Sequence, residues 1–164
     1  MTTVAPAAPR DVVAVATLLA EMDRFYGATD IASLDHRIRQ INHALFSNTA
    51  AAHALLARDG AQLVGFASYS FLWPAADLTR SLFLKELYVT GEHRRKGVGK
   101  ALMERLFEIA AEHECSRVEW TSDNTNIDAQ RFYEKLGYFR FPWKVFYRQD
   151  GQSGELDQPL AENG

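Results

Sequence analysis

One segment in the middle of the chain joins a strand to a helix through two closely spaced glycines, and it constrains the fold more than any other. A β-rich run over about 81–89 precedes it, and a helix with one apolar stripe over about 97–113 follows it. Gly97 and Gly99 let the backbone approach a ligand, and the N–H groups of a first helical turn favour an anion. Four of the 18 basic residues lie within seven positions here: Arg94, Arg95, Lys96 and Lys100. Because like charges at the positive end of a helix repel one another, the segment predicts a phosphate site, with a solvated basic turn as the alternative.

Two other glycine-rich phosphate motifs do not match this segment. A Walker P-loop requires Ser or Thr after the lysine, where the chain has Ala101, and a glycine five positions before Gly99, where it has Arg94. A dinucleotide-binding fingerprint requires a third glycine at the position of Leu102. The pattern that remains is Arg-x-x-Gly-x-Gly over residues 94–99.

The hydrophobic pattern along the chain predicts an alternation of helices and strands. The order is β, α, α, β, β, β, α, β, α, β, β, which indicates an α/β (α+β) fold with a mixed sheet covered by helices. The predicted elements are a strand at Val4, helices ending at Tyr26 and over about 33–46, a hairpin from His53 around Asp59-Gly60, a strand over 81–89, a helix over 97–113, a strand over 117–121, a helix over 127–136, and strands around 138–141 and 145–148.

Length and charge limit the size of the protein and its partners. The 164 residues, 47% of them hydrophobic, suit one domain. The net charge of −3 provides no broad positive surface, so we expect no nucleic-acid partner. Residues 1–149 contain all 18 basic residues and 17 of the 21 acidic ones, and the last fifteen contain four acids and no base. We therefore predict a single domain over 1–149 and a flexible acidic tail over 150–164.

A second motif begins 27 residues after Gly99. Residues 126–138 read Asn-Ile-Asp-Ala-Gln-Arg-Phe-Tyr-Glu-Lys-Leu-Gly-Tyr, which predicts a short helix with Asn126 as its N-cap and Gly137 at its end. Tyr133 lies one step round the helix from its neighbour Phe132. On spacing alone, Tyr133 either packs in the core or points to a ligand.

The two motifs, in this order and on matching elements, resemble those of the GCN5-related N-acetyltransferase (GNAT) superfamily, and the likeness in element order covers about 2–149. The resemblance implies a mixed, mostly antiparallel central sheet flanked by helices on both faces, with acetyl-CoA as cosubstrate. It implies that the glycine turn binds the pyrophosphate, that the backbone of 87–89 pairs with the pantetheine arm, and that the Val89 N–H polarises the thioester carbonyl. The implied cofactor residues are Leu87, Tyr88, Val89, Arg94, Arg95, Lys96, Gly97, Val98, Gly99, Lys100, Asn126 and Tyr133.

Acetyl transfer to an amine requires a base for the amine and an acid for the departing thiolate. An alkylamine with a pKa near ~10 is almost wholly protonated at neutral pH. The resemblance implies that Glu86, which by alternation shares a face with Tyr88, is the base through a water, and that Tyr133 is the acid. Burial would raise the pKa of Glu86, which suits a base, although a surface acid is the alternative. Because Cys115 has no adjacent activating base, we expect direct transfer.

The regions that form the acceptor pocket in this family contain acids among aromatic residues here, which suits a cationic amine. These regions contribute Glu21, Asp23, Tyr26, Asp30, Asp35, Phe71, Trp73, Asp77, Trp143 and Phe146. The predicted substrate-binding residues are Tyr26, Asp30, Trp73 and Glu86. We expect a small amine of polyamine, amino-acid or aminoglycoside type. Two alternatives stay open: a protein or peptide N-acetyltransferase, and a non-catalytic CoA-binding domain.

The remaining features concern metals and location. The five histidines lack metal-ligand spacing and the acids lack the order of a calcium loop, so we expect no metal. The single cysteine, Cys115, fits a reducing compartment. The longest early apolar run, 12–20, is too short to cross a membrane, so we expect no membrane partner. We predict a cytoplasmic homodimer.

Overall fold

The computed structural model describes residues 1–151, and the chain divides into two units, Met1–Asn124 and Thr125–Gly164. The first nine predicted helices and strands are present in the predicted order. Their bounds are β1 Thr2–Pro6, α1 Val12–Phe25, α2 Leu34–Phe46, β2 His53–Asp59, β3 Gln62–Leu72, β4 Ser81–Val89, α3 Val98–Glu112, β5 Arg117–Trp120 and α4 Ile127–Lys135.

The first unit contains a five-stranded sheet in the order β1-β2-β3-β4-β5. Neighbouring strands are antiparallel from β1 to β4, and β5 is parallel to β4. The parallel pair is connected through α3, as a crossover between parallel strands requires. The predicted mixed, mostly antiparallel sheet is therefore confirmed.

Helices cover both faces of this sheet, as predicted. On one face, the apolar residues that α1 places three and four positions apart pack with Leu56, Phe66 and Tyr88 of the sheet. On the other face, a Cβ at Gly65 would lie 2.9 Å from Val98 Cγ1 and 3.2 Å from Leu102 Cδ1 of α3. The start of α3 thus lies against a strand position where only glycine fits.

A β-bulge in β4 determines which face Glu86 occupies. Ser68 pairs with Glu86 and Tyr69 pairs with Leu84, so Lys85 is an extra residue in β4. Leu84 pairs with Tyr69, so both side chains lie on the same face of the sheet. This is the face covered by α3, because the charge of Arg105 on α3 acts on the Tyr69 phenol. Because the extra residue reverses the alternation, Glu86 lies on the opposite face, beside α1. Glu86 and Tyr88 share that face, as predicted.

The two strands predicted at the end of the chain, around 138–141 and 145–148, are wrong: within the described residues, 138–151 contain no strand. The aromatic residues of this segment stack on one another, with Phe139 and Trp143 ring centroids 6.3 Å apart, and Trp143 is 73% exposed. Aromatic and β-branched residues favour strands, but a strand also needs a partner for its backbone. Of the predicted tail over 150–164, all but Asp150 and Gly151 lie outside the described residues.

Candidate active site

Within residues 1–151, the second half of β4 has a strand partner on one side only. β3 pairs with β4 up to Val89, whereas β5 pairs only with 81–84. In the first unit, residues 85–89 therefore have an open edge, on the side of β5, that no strand covers. An extended ligand can add to such an edge by backbone hydrogen bonds.

The direction of the peptide groups along this edge follows from one hydrogen bond. The Thr90 N–H donates to the Val64 carbonyl of β3, at 3.0 Å. Because backbone polar groups alternate in direction along a strand, the N–H and C=O groups of Leu87 and Val89 point away from β3. The family resemblance assigned the backbone of 87–89 to the pantetheine arm. The groups of Leu87 and Val89 lie on the open edge, whereas those of Tyr88 point toward β3.

The turn after β4 has the backbone geometry that favours an anion. Arg95 and Gly97 have positive φ values of 60° and 83°, a region that glycine enters without strain. The Ala101 N–H donates to the Gly97 carbonyl at 3.0 Å, so the N–H groups of residues 98–100 precede this helical bond. Gly97, the N-cap of α3, has no side chain that could cap this end of the helix. The positive end of the helix is therefore open to a ligand.

The basic residues of this turn fall into two groups. Arg95, Lys96 and Lys100 are exposed, and Lys100 makes an exposed ion pair with Glu104 at 3.6 Å. Arg94 is half-buried and turned back toward the sheet. Its Nε donates to the Val89 carbonyl at 2.9 Å, and its Cζ lies 3.9 Å from the centre of the Phe25 ring. Sequence spacing alone does not show that Arg94 is half-buried while its basic neighbours are exposed.

Glu86 is the half-buried acid at the centre of the open edge. Burial raises the pKa of its carboxyl above the usual value, Lys85 opposes this, and the negative charges of Asp23 and Asp123 raise it further. The sequence reasoning missed Asp123, which lies outside both motifs. A carboxylate with a raised pKa accepts a proton more readily, which suits a general base.

Two tyrosines accompany Glu86 on this face. Burial raises the pKa of the Tyr26 phenol, as does the charge of Glu86, so these two predicted substrate residues lie close enough to interact. The Tyr88 hydroxyl donates to Glu21 Oε1 at 2.8 Å, and burial together with this bond raises the pKa of Tyr88 to about 12. Tyr88 therefore packs its side chain against α1, in the core.

The other two predicted substrate residues lie in loops. Asp30 is exposed in the connection between α1 and α2. Trp73 is 66% exposed in the connection from β3 to β4, and its indole N–H donates to the Leu78 carbonyl at 2.9 Å. This connection leads into the start of β4, at the other end from Val89.

The second unit carries the remaining two predicted site residues. Asn126 caps α4, because its side-chain oxygen accepts a hydrogen bond from the Ala129 N–H at 3.1 Å. Gly137 follows the helix with a φ of 82°, so the predicted cap and stop are confirmed. Tyr133 is half-buried on α4, with its ring centre 5.1 Å from that of Phe132. The roles of Asn126 and Tyr133 toward the coenzyme stay predictions.

Residues 1–151 contain neither a metal-binding cluster nor a membrane-spanning helix. No group of three or more His, Cys, Asp or Glu side chains lies close enough together to hold a metal ion. In the same residues, no helix is long and apolar enough to cross a membrane. Burial raises the pKa of the Cys115 thiol, which lowers its thiolate fraction.

Solved structures resemble this chain over most of its length. A Vibrio cholerae integron cassette protein is 28% identical, with a TM-score of 0.85, covering 92% of this chain and 93% of that one. The ribosomal-protein-alanine N-acetyltransferase of Brucella melitensis biovar Abortus 2308 is 26% identical, with a TM-score of 0.73, covering 92% of this chain and all (100%) of that one.

Curated relatives match over a shorter stretch. The D-amino-acid N-acetyltransferase HPA3 of Saccharomyces cerevisiae is 34% identical over 88 residues, which are 54% of this chain and 53% of the yeast protein. The thialysine N-epsilon-acetyltransferase of Sus scrofa is 28% identical over 78 residues, 48% of this chain and 45% of the pig protein. The chain thus spans about half the length of the curated relatives it matches. The model of the acetyltransferase (GNAT) family matches residues 15–138, and the chain belongs to this family.

Proposed function

We propose that this chain is an acetyl-CoA-dependent N-acetyltransferase that moves an acetyl group directly to a primary amine of a small cationic molecule. One observation carries the proposal: the unpaired edge of β4 runs into an anion-favouring turn and has a half-buried acid, Glu86, along it. The edge is complementary to an extended pantetheine arm, the turn to a pyrophosphate, and the acid to an amine. Membership of the GNAT family supports the same reading.

The cofactor is held, in this proposal, by backbone groups and by exposed cations. The edge groups of Leu87 and Val89 pair with the pantetheine arm, and the N–H groups at the start of α3 receive the pyrophosphate. Acetyl-CoA supplies the activated acetyl group as a thioester. The proposed cofactor residues are Leu87, Val89, Arg94, Arg95, Lys96, Gly97, Val98, Gly99, Lys100, Asn126 and Tyr133. Tyr88 is left out of this set because its side chain packs against α1 and its backbone faces β3.

The proposed chemistry divides proton transfer between Glu86 and Tyr133. Glu86 takes a proton from the substrate ammonium group through a water, which frees the nitrogen lone pair. The nitrogen attacks the thioester carbonyl and the C–N bond forms, while the Val89 N–H stabilises the charge on the oxygen. The C–S bond then breaks, and Tyr133 donates its phenolic proton to the thiolate. The second proton of the attacking nitrogen leaves through water as the amide forms and restores the Tyr133 phenol.

The acceptor is proposed to be small and cationic because Glu86 lies within electrostatic range of two further acids, one of which, Asp23, is paired with Arg37 at 3.0 Å, and of the Tyr26 ring. Asp23 and Asp123 both act on Glu86, and Tyr26 interacts with Glu86 electrostatically. An ammonium group is attracted by both acids and aromatic faces. Relatives in this family are named for D-amino acids, thialysine and spermine or spermidine. Asp30 and Trp73 are proposed as outer contacts of a longer acceptor.

A second candidate function is acetylation of a protein or peptide amine. The Brucella ribosomal-protein-alanine N-acetyltransferase, similar over 92% of this chain, favours it.

A cytoplasmic homodimer is proposed as well. The exposed aromatic residues of 139–147 offer the kind of apolar surface that a second copy covers.

Two measurements test the proposal. Calorimetry with CoA should detect binding, and release of free thiol from acetyl-CoA should depend on an added amine such as spermidine, lysine or a D-amino acid. An alanine-starting peptide as sole acceptor would favour the second function. Binding of CoA without turnover of any amine would favour a non-catalytic domain, and absence of binding would contradict the proposal entirely.

A further inference from the structure

The side chain of Arg94 joins two elements that border the open edge. Its Nε donates to the carbonyl of Val89, the last residue of β4, at 2.9 Å. Its guanidinium lies over the ring of Phe25, the last residue of α1, with Cζ 3.9 Å from the ring centre. The Tyr88 ring lies on the same cation, 5.5 Å from Cζ. One side chain thus connects the end of β4 to the end of α1.

These contacts continue toward the acceptor residues. The rings of Phe25 and Tyr26 are 5.1 Å apart, so the position of Phe25 affects that of Tyr26. Tyr88 is tied to α1 through its 2.8 Å bond to Glu21. The last turn of α1 is therefore held to β4 at two points, and the Arg94 contact is the one nearer the turn that would bind phosphate.

The same contacts use part of the guanidinium by which Arg94 would recognise a phosphate, because a bidentate approach through Nε needs the N–H that already donates to Val89. One face of its guanidinium is covered by Phe25, and its Nε is committed to Val89. Arg95, Lys96 and Lys100 are exposed on the turn and carry the charge that a pyrophosphate requires. The Val89 carbonyl that Arg94 engages lies on the open edge, next to the N–H proposed to stabilise the oxyanion.

We infer that Arg94 is a positioning residue that couples cofactor binding at the turn to the acceptor wall formed by the end of α1. The inference rests on the proposed function and changes one part of it: Arg94 contributes its backbone to the turn, whereas its guanidinium orients Val89 and Phe25. Ordering of the turn by CoA then orders Tyr26 as well, without any direct contact between them.

Substitutions that keep the charge of Arg94 separate positioning from phosphate binding. Arg94→Lys retains a cation and loses the planar face and the Nε donor. We expect the Kd for CoA to stay nearly unchanged, while kcat/KM for the amine falls by about tenfold or more. Lys96→Gln is the matched control, and it should weaken CoA binding while leaving the KM for the amine unchanged.

Phe25→Leu tests the same link from the other side. It keeps an apolar side chain and removes the aromatic face, so it should reproduce the amine defect of Arg94→Lys. The double variant should be no worse than either single variant, because both remove one interaction. If Arg94→Gln instead weakens CoA binding as much as Lys96→Gln does, with the amine KM unchanged, Arg94 is a phosphate ligand and the inference is wrong.

Hydrogen exchange gives a readout that does not depend on turnover. CoA should protect amides of residues 21–27 in the wild type and should not protect them in Arg94→Lys. Wild-type protein that binds CoA without this protection would overturn the coupling and leave the proposed function intact. Wild-type protein that shows the protection but acetylates no amine would support the coupling and contradict the proposed activity. If the wild type does not bind CoA at all, both fail.

Discussion

The two halves of β4 differ in what pairs with them. Residues 81–84 lie between β3 and β5, whereas residues 86–89 have β3 as their one strand partner within residues 1–151. The paired half is almost fully buried, with Leu82 and Leu84 in the core. The half with the open edge carries Glu86 and leads into the basic turn. One strand thus supports the sheet at one end and presents backbone groups to a ligand at the other.

The largest expected effect comes from neutralising the acid of the open half. Glu86→Gln keeps the shape of the side chain and removes its ability to accept a proton. We expect kcat/KM for the amine to fall by roughly 10²–10⁴-fold, the usual contribution of a general base. Steady-state kinetics measure it, and CoA binding by calorimetry should be unchanged. Wild-type rates in Glu86→Gln would exclude this residue as the base.

The matched substitution in the paired half should affect stability instead. Leu82 is fully buried between the sheet and α3. Leu82→Ala removes three buried carbon atoms and leaves a cavity, which costs about 2–5 kcal/mol in the free energy of unfolding. Urea denaturation measures the loss. Near the temperature of maximum stability, the folded fraction should bind CoA like the wild type. Weakened CoA binding by protein that is still folded would mean that packing in the paired half also affects ligand binding at the open half of β4.

Much of this contrast could be predicted from the sequence. The paired glycines and the cations around them indicate an anion site without any structure, because only a few backbone arrangements follow a strand with Gly-x-Gly and a helix. The apolar spacings of α1 and α3 are long and regular, so their existence and their buried sides were predictable. Glu86 and Tyr26, both singled out from sequence, interact in the structure.

The features that could not be predicted depend on tertiary contacts, which leave no local pattern in the sequence. The extra residue at Lys85 reverses the alternation within β4, and it is visible only from the register with β3. Arg94 looks like its basic neighbours in sequence, yet it packs on Phe25, about 70 positions earlier in the chain. The strands predicted around 138–141 and 145–148 had the composition of strands, but strand formation also depends on a partner.

A smaller effect than that of Glu86→Gln is expected from the proposed acid of the second unit. Tyr133→Phe removes only a hydroxyl group. The coenzyme thiolate has a pKa near ~8.5 by analogy with cysteine, so it leaves without full protonation, and we expect kcat to fall by about ten- to a hundredfold. CoA affinity should be preserved. Unchanged acetylation of every amine tested would remove Tyr133 from the mechanism and leave the open half of β4 as the main source of catalysis.

The smallest expected effect is a pH dependence of stability caused by Glu86. Its pKa is raised in the folded chain, mainly by burial, so between the unfolded value near ~4.3 and the raised folded value the native state binds more protons than the unfolded state. The contribution of Glu86 to the stability of the wild type should therefore fall as pH rises through this window, because it is fully present below the window and lost above it. Because the group is only half-buried, solvent screening keeps the change small.

Glu86→Gln removes this titration and makes the prediction testable. The unfolding free energy of the variant, compared with that of the wild type by urea denaturation from about pH 4 upward, should rise relative to the wild type across the window and stay level above it. Parallel curves would mean that the open edge does not desolvate Glu86. A separation of the curves would connect catalysis and stability in this half of β4. The desolvation that makes Glu86 a better base also destabilises the folded state when Glu86 is ionised.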